Sequence, residues 1–101
     1  MYLYKLSQNI NCDYDTFDSC IVCAENPKEA RLIHPGEFVT HCDSEHWYGN
    51  YAVGNKEEYI TEDGHGTWVP RTRVNEIEVE LIGTAKESMK KGVVLSSFNA
   101  G

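Results

Sequence analysis

The chain has 101 residues, 41% of them hydrophobic and 25% charged, which is the size and composition of one globular domain spanning residues 1–101. Its net charge of −7 disfavours duplex nucleic acid as a partner, because that binding needs clustered Lys and Arg. The apolar runs are too short to cross a bilayer, and the N-terminal residues lack the pattern of a signal peptide. We therefore expect no membrane partner and a cytoplasmic location.

The first third of the chain predicts two strands followed by a helix. Residues 2–8 alternate between apolar and polar side chains, as a half-buried strand does, and residues 18–24 are apolar with a β-branched centre. Asn26 begins a capping-box pattern that predicts a helix over residues 27–33. Pro35 prevents the helix from continuing further. Because two turns are marginal alone, this helix must pack on the sheet.

The middle of the chain, residues 35–75, is the acidic part and has no long periodicity. A structureless loop of that length is rare in a small domain, so we expect short strands near residues 38–41, 47–53 and 59–61. The segment contains both tryptophans and three of the four histidines. We interpret it as a functional insertion or loop region, since binding residues concentrate in connecting segments.

The last quarter of the chain predicts two further strands. Residues 76–82 alternate almost perfectly, and residues 92–98 form an apolar run near the C-terminus. The expected fold class is α+β: a mostly antiparallel sheet of about four strands, in the order ββα–long middle–ββ, with one short helix on one face. The residues expected to be largely buried are Tyr4, Ile21, Val22, Ile77, Val79, Leu81, Val93 and Leu95.

Large aromatic and acidic side chains predict a protein-binding surface. Aromatic rings are the usual anchors of such interfaces, and carboxylates around them steer a basic partner. The residues predicted to bind a partner are Trp47, Tyr48, Trp68, Asp43, Glu45 and Asp15.

A small-molecule site is the alternative for the same region. Trp47 or Trp68 beside Arg71 and Arg73 would stack on a nucleotide base and contact its phosphates. His34 and Asn99 complete the ligand-binding residues of this alternative. The competing interpretation is that the tryptophans fill the core, the arginines are solvated, and His34 packs at the end of the helix.

The cysteines admit a zinc site, formed by Cys20, Cys23, Cys42 and His46. We favour a structural role for them, because residues three apart on a strand point to opposite faces and Cys is a common buried residue. The sequence has no nucleophile elbow, phosphate loop or kinase signature. The expectation is therefore a non-enzymatic protein without a cofactor.

Four parts of the sequence resemble a family of short hypothetical proteins carried by tailed bacteriophages. They are residues 14–19 (YDTFDS), residues 30–31 with 33–35 (AR and IHP), residues 78–85 (EVELIGTA) and residues 92–101 (GVVLSSFNAG). The resemblance covers both ends of the chain. It implies a phage accessory gene acting in the bacterial host cytoplasm, and genes of that kind often encode small inhibitors.

Two functions follow from this combination of residues and resemblance. The first is a non-enzymatic inhibitor, of the anti-defence or anti-CRISPR type, that binds a host or bacterial-defence protein. The alternative is an oligomeric binder that sequesters a nucleotide immune signal, and a homo-oligomer is compatible with either. A small zinc-stabilised interaction domain is a third alternative.

Overall fold

The structure is a computed structural model that describes residues 1–12, 14–49, 58–60 and 66–99. The elements within these ranges are two sets of strands and two short helices. In chain order they are β1 (Tyr2–Ser7), β2 (Thr16–Ala24), α1 (Pro27–Ala30), β3 (Val39–Cys42), β4 (Trp47–Gly49), β5 (Glu58–Ile60), a 3-10 helix (Arg71–Glu76), β6 (Glu78–Thr84) and β7 (Gly92–Asn99).

The main sheet has four strands in the order β6-β1-β2-β7, and every neighbouring pair is antiparallel. The two N-terminal strands form its centre, with Tyr4 opposite Val22 and Leu6 opposite Cys20. The two C-terminal strands form its edges. The predicted α+β class and its four-stranded antiparallel sheet are therefore confirmed, although the sequence did not predict which strands lie at the edges.

The hydrophobic core lies between one face of the main sheet and a second layer. This layer comprises α1, β4 and the segment 68–77, which packs over the central strands. The buried cluster consists of Tyr4, Leu6, Cys20, Val22, Ala24, Ala30, Trp47, Trp68, Val69, Val74 and Ile77. The predicted burial of Tyr4, Val22 and Ile77 is thus confirmed, whereas Ile21 and Val79 are only partly buried.

Three residues that the sequence pattern assigns to the core are exposed instead. Leu81 on β6 is 60% exposed, and Val93 and Leu95 on β7 are 41% and 65% exposed. The alternation of β6 correctly indicates a strand, but alternation predicts a buried face only where a second layer covers it. The core cluster is centred on β1 and β2 and leaves most of both edge strands uncovered.

Helix α1 is shorter than predicted because its hydrogen bonding changes after Ala30. The Asn26 Oδ1 accepts from the Glu29 backbone N–H at 2.8 Å, which confirms the predicted cap. Beyond the helix, the Leu32 N–H donates to the Glu29 carbonyl and the Ile33 N–H to the Ala30 carbonyl, both at 3.1 Å. These bonds span three residues rather than four, so the chain continues to Ile33 as a tighter turn.

The second sheet has three antiparallel strands in the order β3-β4-β5. Its hairpin pairs His41 with Tyr48 and Cys42 with Trp47. These strands lie where short strands were expected in the acidic middle. The parts of those predictions that fall on residues 50–53 and 61 lie outside the described residues.

A polar brace holds the segment around Trp68 against the β1–β2 loop. The Gln8 Nε2 donates to the carbonyls of Asn11 and Phe17, each at 2.7 Å. The Asn11 Nδ2 in turn donates to the carbonyls of Gly66 and Trp68 at 2.8 and 3.2 Å. Buried amide groups are normally hydrogen-bonded in this way, because an unpaired buried polar group is costly.

Within the described part of the chain, no helix combines the length and the apolar character needed to span a bilayer.

Candidate functional site

The turn between β3 and β4 is organised by one carboxylate. The Asp43 Oδ1 accepts from the backbone N–H groups of Glu45 and His46 at 2.8 and 2.7 Å, and its Oδ2 accepts from the Tyr48 hydroxyl at 2.6 Å. The Asp43 N–H closes the turn by donating to the His46 carbonyl at 3.1 Å. An Asp at the start of a tight turn commonly bonds the amides that follow it.

These hydrogen bonds separate the pKa values of the two partners. The Tyr48 hydroxyl and then the amides of Glu45 and His46 lower the pKa of Asp43 from 3.8 to about 2. The bond to Asp43 raises the pKa of Tyr48. At neutral pH the carboxylate is therefore ionised and the phenol is protonated.

Aromatic rings stack over the same hairpin. The rings of His41 and Tyr48 face each other across β3 and β4, with centroids 5.0 Å apart and planes 9° apart. His46 meets Tyr48 edge-on at 6.2 Å. The Thr40 Oγ1 lies 2.9 Å from the His41 Nδ1. We call His41, Asp43, Glu45, His46 and Tyr48 the hairpin cluster.

The two tryptophans do not belong to this surface. Trp47 and Trp68 are 1% and 0% exposed. The Trp47 Nε1 donates to the Val69 carbonyl at 2.9 Å, which satisfies the indole inside the core. This burial contradicts the prediction of both rings as surface anchors and supports the competing interpretation that the tryptophans fill the core. Side chains alternate along β4, so Trp47 points inward while Tyr48 faces outward. Trp68 belongs to the same buried cluster.

The remaining predicted partner residues divide between two places. Asp43, Glu45 and Tyr48 lie together on the hairpin. Asp15 lies before β2, where it has a φ of 61° and its N–H donates to the Asn99 carbonyl at 2.6 Å. Sequence reasoning therefore found three members of the hairpin cluster and missed the packing of His41 and His46 on the Tyr48 ring.

An open groove of about 830 Å³ lies between β7 and the segment 32–41. Its polar lining includes His34, His41 and Lys91. The His34 ring is buried, its Nδ1 accepts from the Gly36 N–H at 2.8 Å, and it meets Trp47 edge-on at 5.1 Å. His34 is thus a packing residue that also lines the groove, and Lys91 is paired with Glu29 at 3.1 Å.

The residues of the predicted nucleotide site do not all line this groove. Arg73 forms a two-bond ion pair with Glu76 at 2.7 and 2.9 Å on the 3-10 helix. Of the set His34, Arg71, Arg73 and Asn99, only His34 lines the groove.

The cysteines of the zinc alternative lie on two strands. Cys20 and Cys23 are on β2, where Cys20 pairs with Leu6 and Cys23 with Leu3 on opposite faces of the sheet. Burial raises the pKa of the Cys20 thiol to about 12, so it remains protonated. No cluster of three or more His, Cys, Asp or Glu side chains suited to a metal ion occurs among the described residues.

Comparisons with known proteins leave the chain's own chemistry as the guide to its function. No family model, curated protein or solved structure matches it.

Proposed function

We propose that the chain is a non-enzymatic inhibitor that binds a basic protein of the host cell or of bacterial defence through the hairpin cluster. The observation that carries the proposal is the set of three hydrogen bonds on Asp43, which hold an exposed turn and the ring of Tyr48 in one conformation. A surface ordered before binding loses less conformational entropy when a partner arrives.

The charge and shape of the hairpin cluster support a basic protein partner. Asp43 and Glu45 are exposed, and the chain as a whole has a net charge of −7. Long-range attraction of this sign accelerates association with a basic surface. The stacked rings of His41 and Tyr48 add flat apolar area beside the carboxylates, and Tyr is enriched at interface anchors.

The protonation states of Asp43 and Tyr48 suit this pair to binding rather than to proton transfer. A general acid or base works best with a pKa near the working pH. The hydrogen bond between Asp43 and Tyr48 instead shifts both pKa values away from neutral pH, lowering that of Asp43 and raising that of Tyr48. The pair therefore supplies a fixed negative charge and a fixed hydroxyl group, which suit a contact surface.

The phage resemblance supplies the biological context of the proposal. It points to a bacterial host cytoplasm and to a target that an accessory protein would block. A second candidate, binding of a small nucleotide, is favoured by the groove, because about 830 Å³ is a volume typical of ligand sites and His41 and Lys91 line it.

The test is affinity capture from infected and uninfected bacterial lysate with immobilised protein, comparing two charge reversals. Glu45→Lys changes the hairpin cluster. Glu78→Lys makes the same change on exposed β6, away from the hairpin. We expect one partner protein to be captured in stoichiometric amount by the wild type and by Glu78→Lys. Its affinity for Glu45→Lys should be lower by a factor of at least about ten. Equal binding of the partner by the wild type and both variants would refute the assignment of the hairpin cluster as the binding surface. Release of a nucleotide from the purified protein by heat would favour the second candidate, nucleotide binding.

A further inference from the structure

The outer edge strand β7 carries no charge and exposes several apolar side chains. β7 is an edge strand of the main sheet, and none of its eight residues is charged. Leu95 is 65% exposed, and Val93, Val94 and Phe98 are exposed as well. The groove beside residues 93–96 separates this strand from the segment 32–41. Within the described ranges no strand pairs with the outer edge of β7, so its outward backbone groups are available to another strand.

The opposite edge of the same sheet is built differently. β6 also exposes apolar side chains, with Leu81 at 60%, but it carries Glu78 and Glu80 along the strand. Charged side chains on an edge strand are a common protection against pairing with another chain. Two copies of β6 would bring these carboxylates together, whereas two copies of β7 would bring no charges together.

We infer that β7 pairs in antiparallel fashion with β7 of a second copy of this chain, joining two main sheets into one eight-stranded sheet. An antiparallel pair of identical strands has a two-fold axis, so one residue must face its own copy. A strand of another protein is a weaker fit, because β7 offers no charge that would select a basic or an acidic partner. A chain with a net charge of −7 repels its own copies, and an uncharged strand is where that repulsion is smallest.

The pairing of β7 with β2 indicates which residue lies on the axis. In that pairing Ile21 faces Leu95 and Val22 faces Val93, so Val94 is the extra residue of a bulge. The second irregularity of this pairing is an extra residue on β2, Asp18, so β7 itself continues from residue 95 to 99 without another bulge residue. The midpoint of residues 95–99 is Ser97, which is exposed. In this register Ser97 faces Ser97 of the second copy, and Leu95 faces Asn99.

The experiment is sedimentation velocity on the purified full chain, with circular dichroism to verify folding of each variant. We expect a discrete dimer with a Kd of about 10–100 µM, as for a small interface. Leu95→Lys is expected to raise the Kd by at least about tenfold. Leu81→Lys, the same change at a similar exposure on β6, is expected to leave the Kd unchanged.

A charge pair at Ser97 tests the register. Ser97→Lys and Ser97→Glu, each alone, place like charges opposite each other and are expected to be monomeric. An equimolar mixture of the two is expected to restore the dimer. The inference would be overturned if the wild-type chain were monomeric at several times the expected Kd, or if it formed an open-ended aggregate in place of a dimer. It would also be overturned if Leu81→Lys weakened the dimer as much as Leu95→Lys, or if the mixture of Ser97 variants stayed monomeric. The inference does not depend on the proposed partner, because β7 contains no residue of the hairpin cluster.

Discussion

Replacing Trp47 with alanine tests whether the hairpin is anchored in the core. Trp47 is 1% exposed, and its Nε1 bonds the Val69 carbonyl at 2.9 Å. Removal of a buried aromatic ring lowers the free energy of unfolding by about 3–5 kcal/mol. The Val69 carbonyl left without its donor adds about 1 kcal/mol. The sum of about 4–6 kcal/mol approaches the whole stability of many domains, which is about 5–15 kcal/mol.

Urea unfolding followed by far-ultraviolet circular dichroism measures this loss. With a slope of about 1.5 kcal/mol per M, the midpoint should fall by about 3 M. Trp47→Phe keeps most of the buried ring but loses the Nε1 donor, so we expect the free energy of unfolding to fall by about 1–2 kcal/mol. Tyr48→Ala, at the next residue on the outward face, should cost less than about 1 kcal/mol. A Trp47→Ala midpoint within about 0.5 M of wild type would refute the buried anchor.

Three further predictions concern the core, the turn and the helix. Leu6→Ala should lower the free energy of unfolding by about 2–5 kcal/mol, whereas exposed Leu81→Ala should cost less than about 1 kcal/mol, as measured by urea unfolding. The pKa of Asp43 is about 2 in the folded chain against an ordinary value of 3.8. Its contribution to the free energy of unfolding is therefore complete above about pH 4 and is lost as the pH falls towards 2. A ¹³C carboxyl titration showing a pKa near 4 for Asp43 would contradict this. Asn26→Ala should cost about 1 kcal/mol by loss of the helix cap, and an unchanged urea midpoint would argue against that cap.

Local signals in the sequence predicted the features that depend on neighbouring residues. The Asn26 cap forms because a side chain and an amide three residues away are sufficient for it. The strand content of residues 76–82 followed from alternation, and β6 is found there with its start displaced to Glu78. Such features need no knowledge of what packs above them.

Features that depend on the second layer could not be predicted in the same way. The exposure of Leu81 and Leu95 follows from their position on edge strands, and strand order is set by pairing across the whole chain. The Trp68 carbonyl accepts a hydrogen bond from Asn11, a residue more than fifty positions earlier in the chain, and the Trp68 ring packs in a core built from distant segments. Composition suggested an aromatic surface in the acidic middle, but it could not distinguish a ring that binds a partner from one that fills the core.

The hairpin joins these two roles in consecutive residues. Trp47 points inward and bonds Val69, while Tyr48 points outward, stacks on His41 and bonds Asp43. The buried ring therefore fixes the strand from which the exposed ring projects. Loss of binding after Trp47→Ala would not identify a contact residue, because the same substitution releases the hairpin from the core. Only substitutions on the outward face, such as Tyr48→Ala, separate recognition of a partner from the packing that positions the surface.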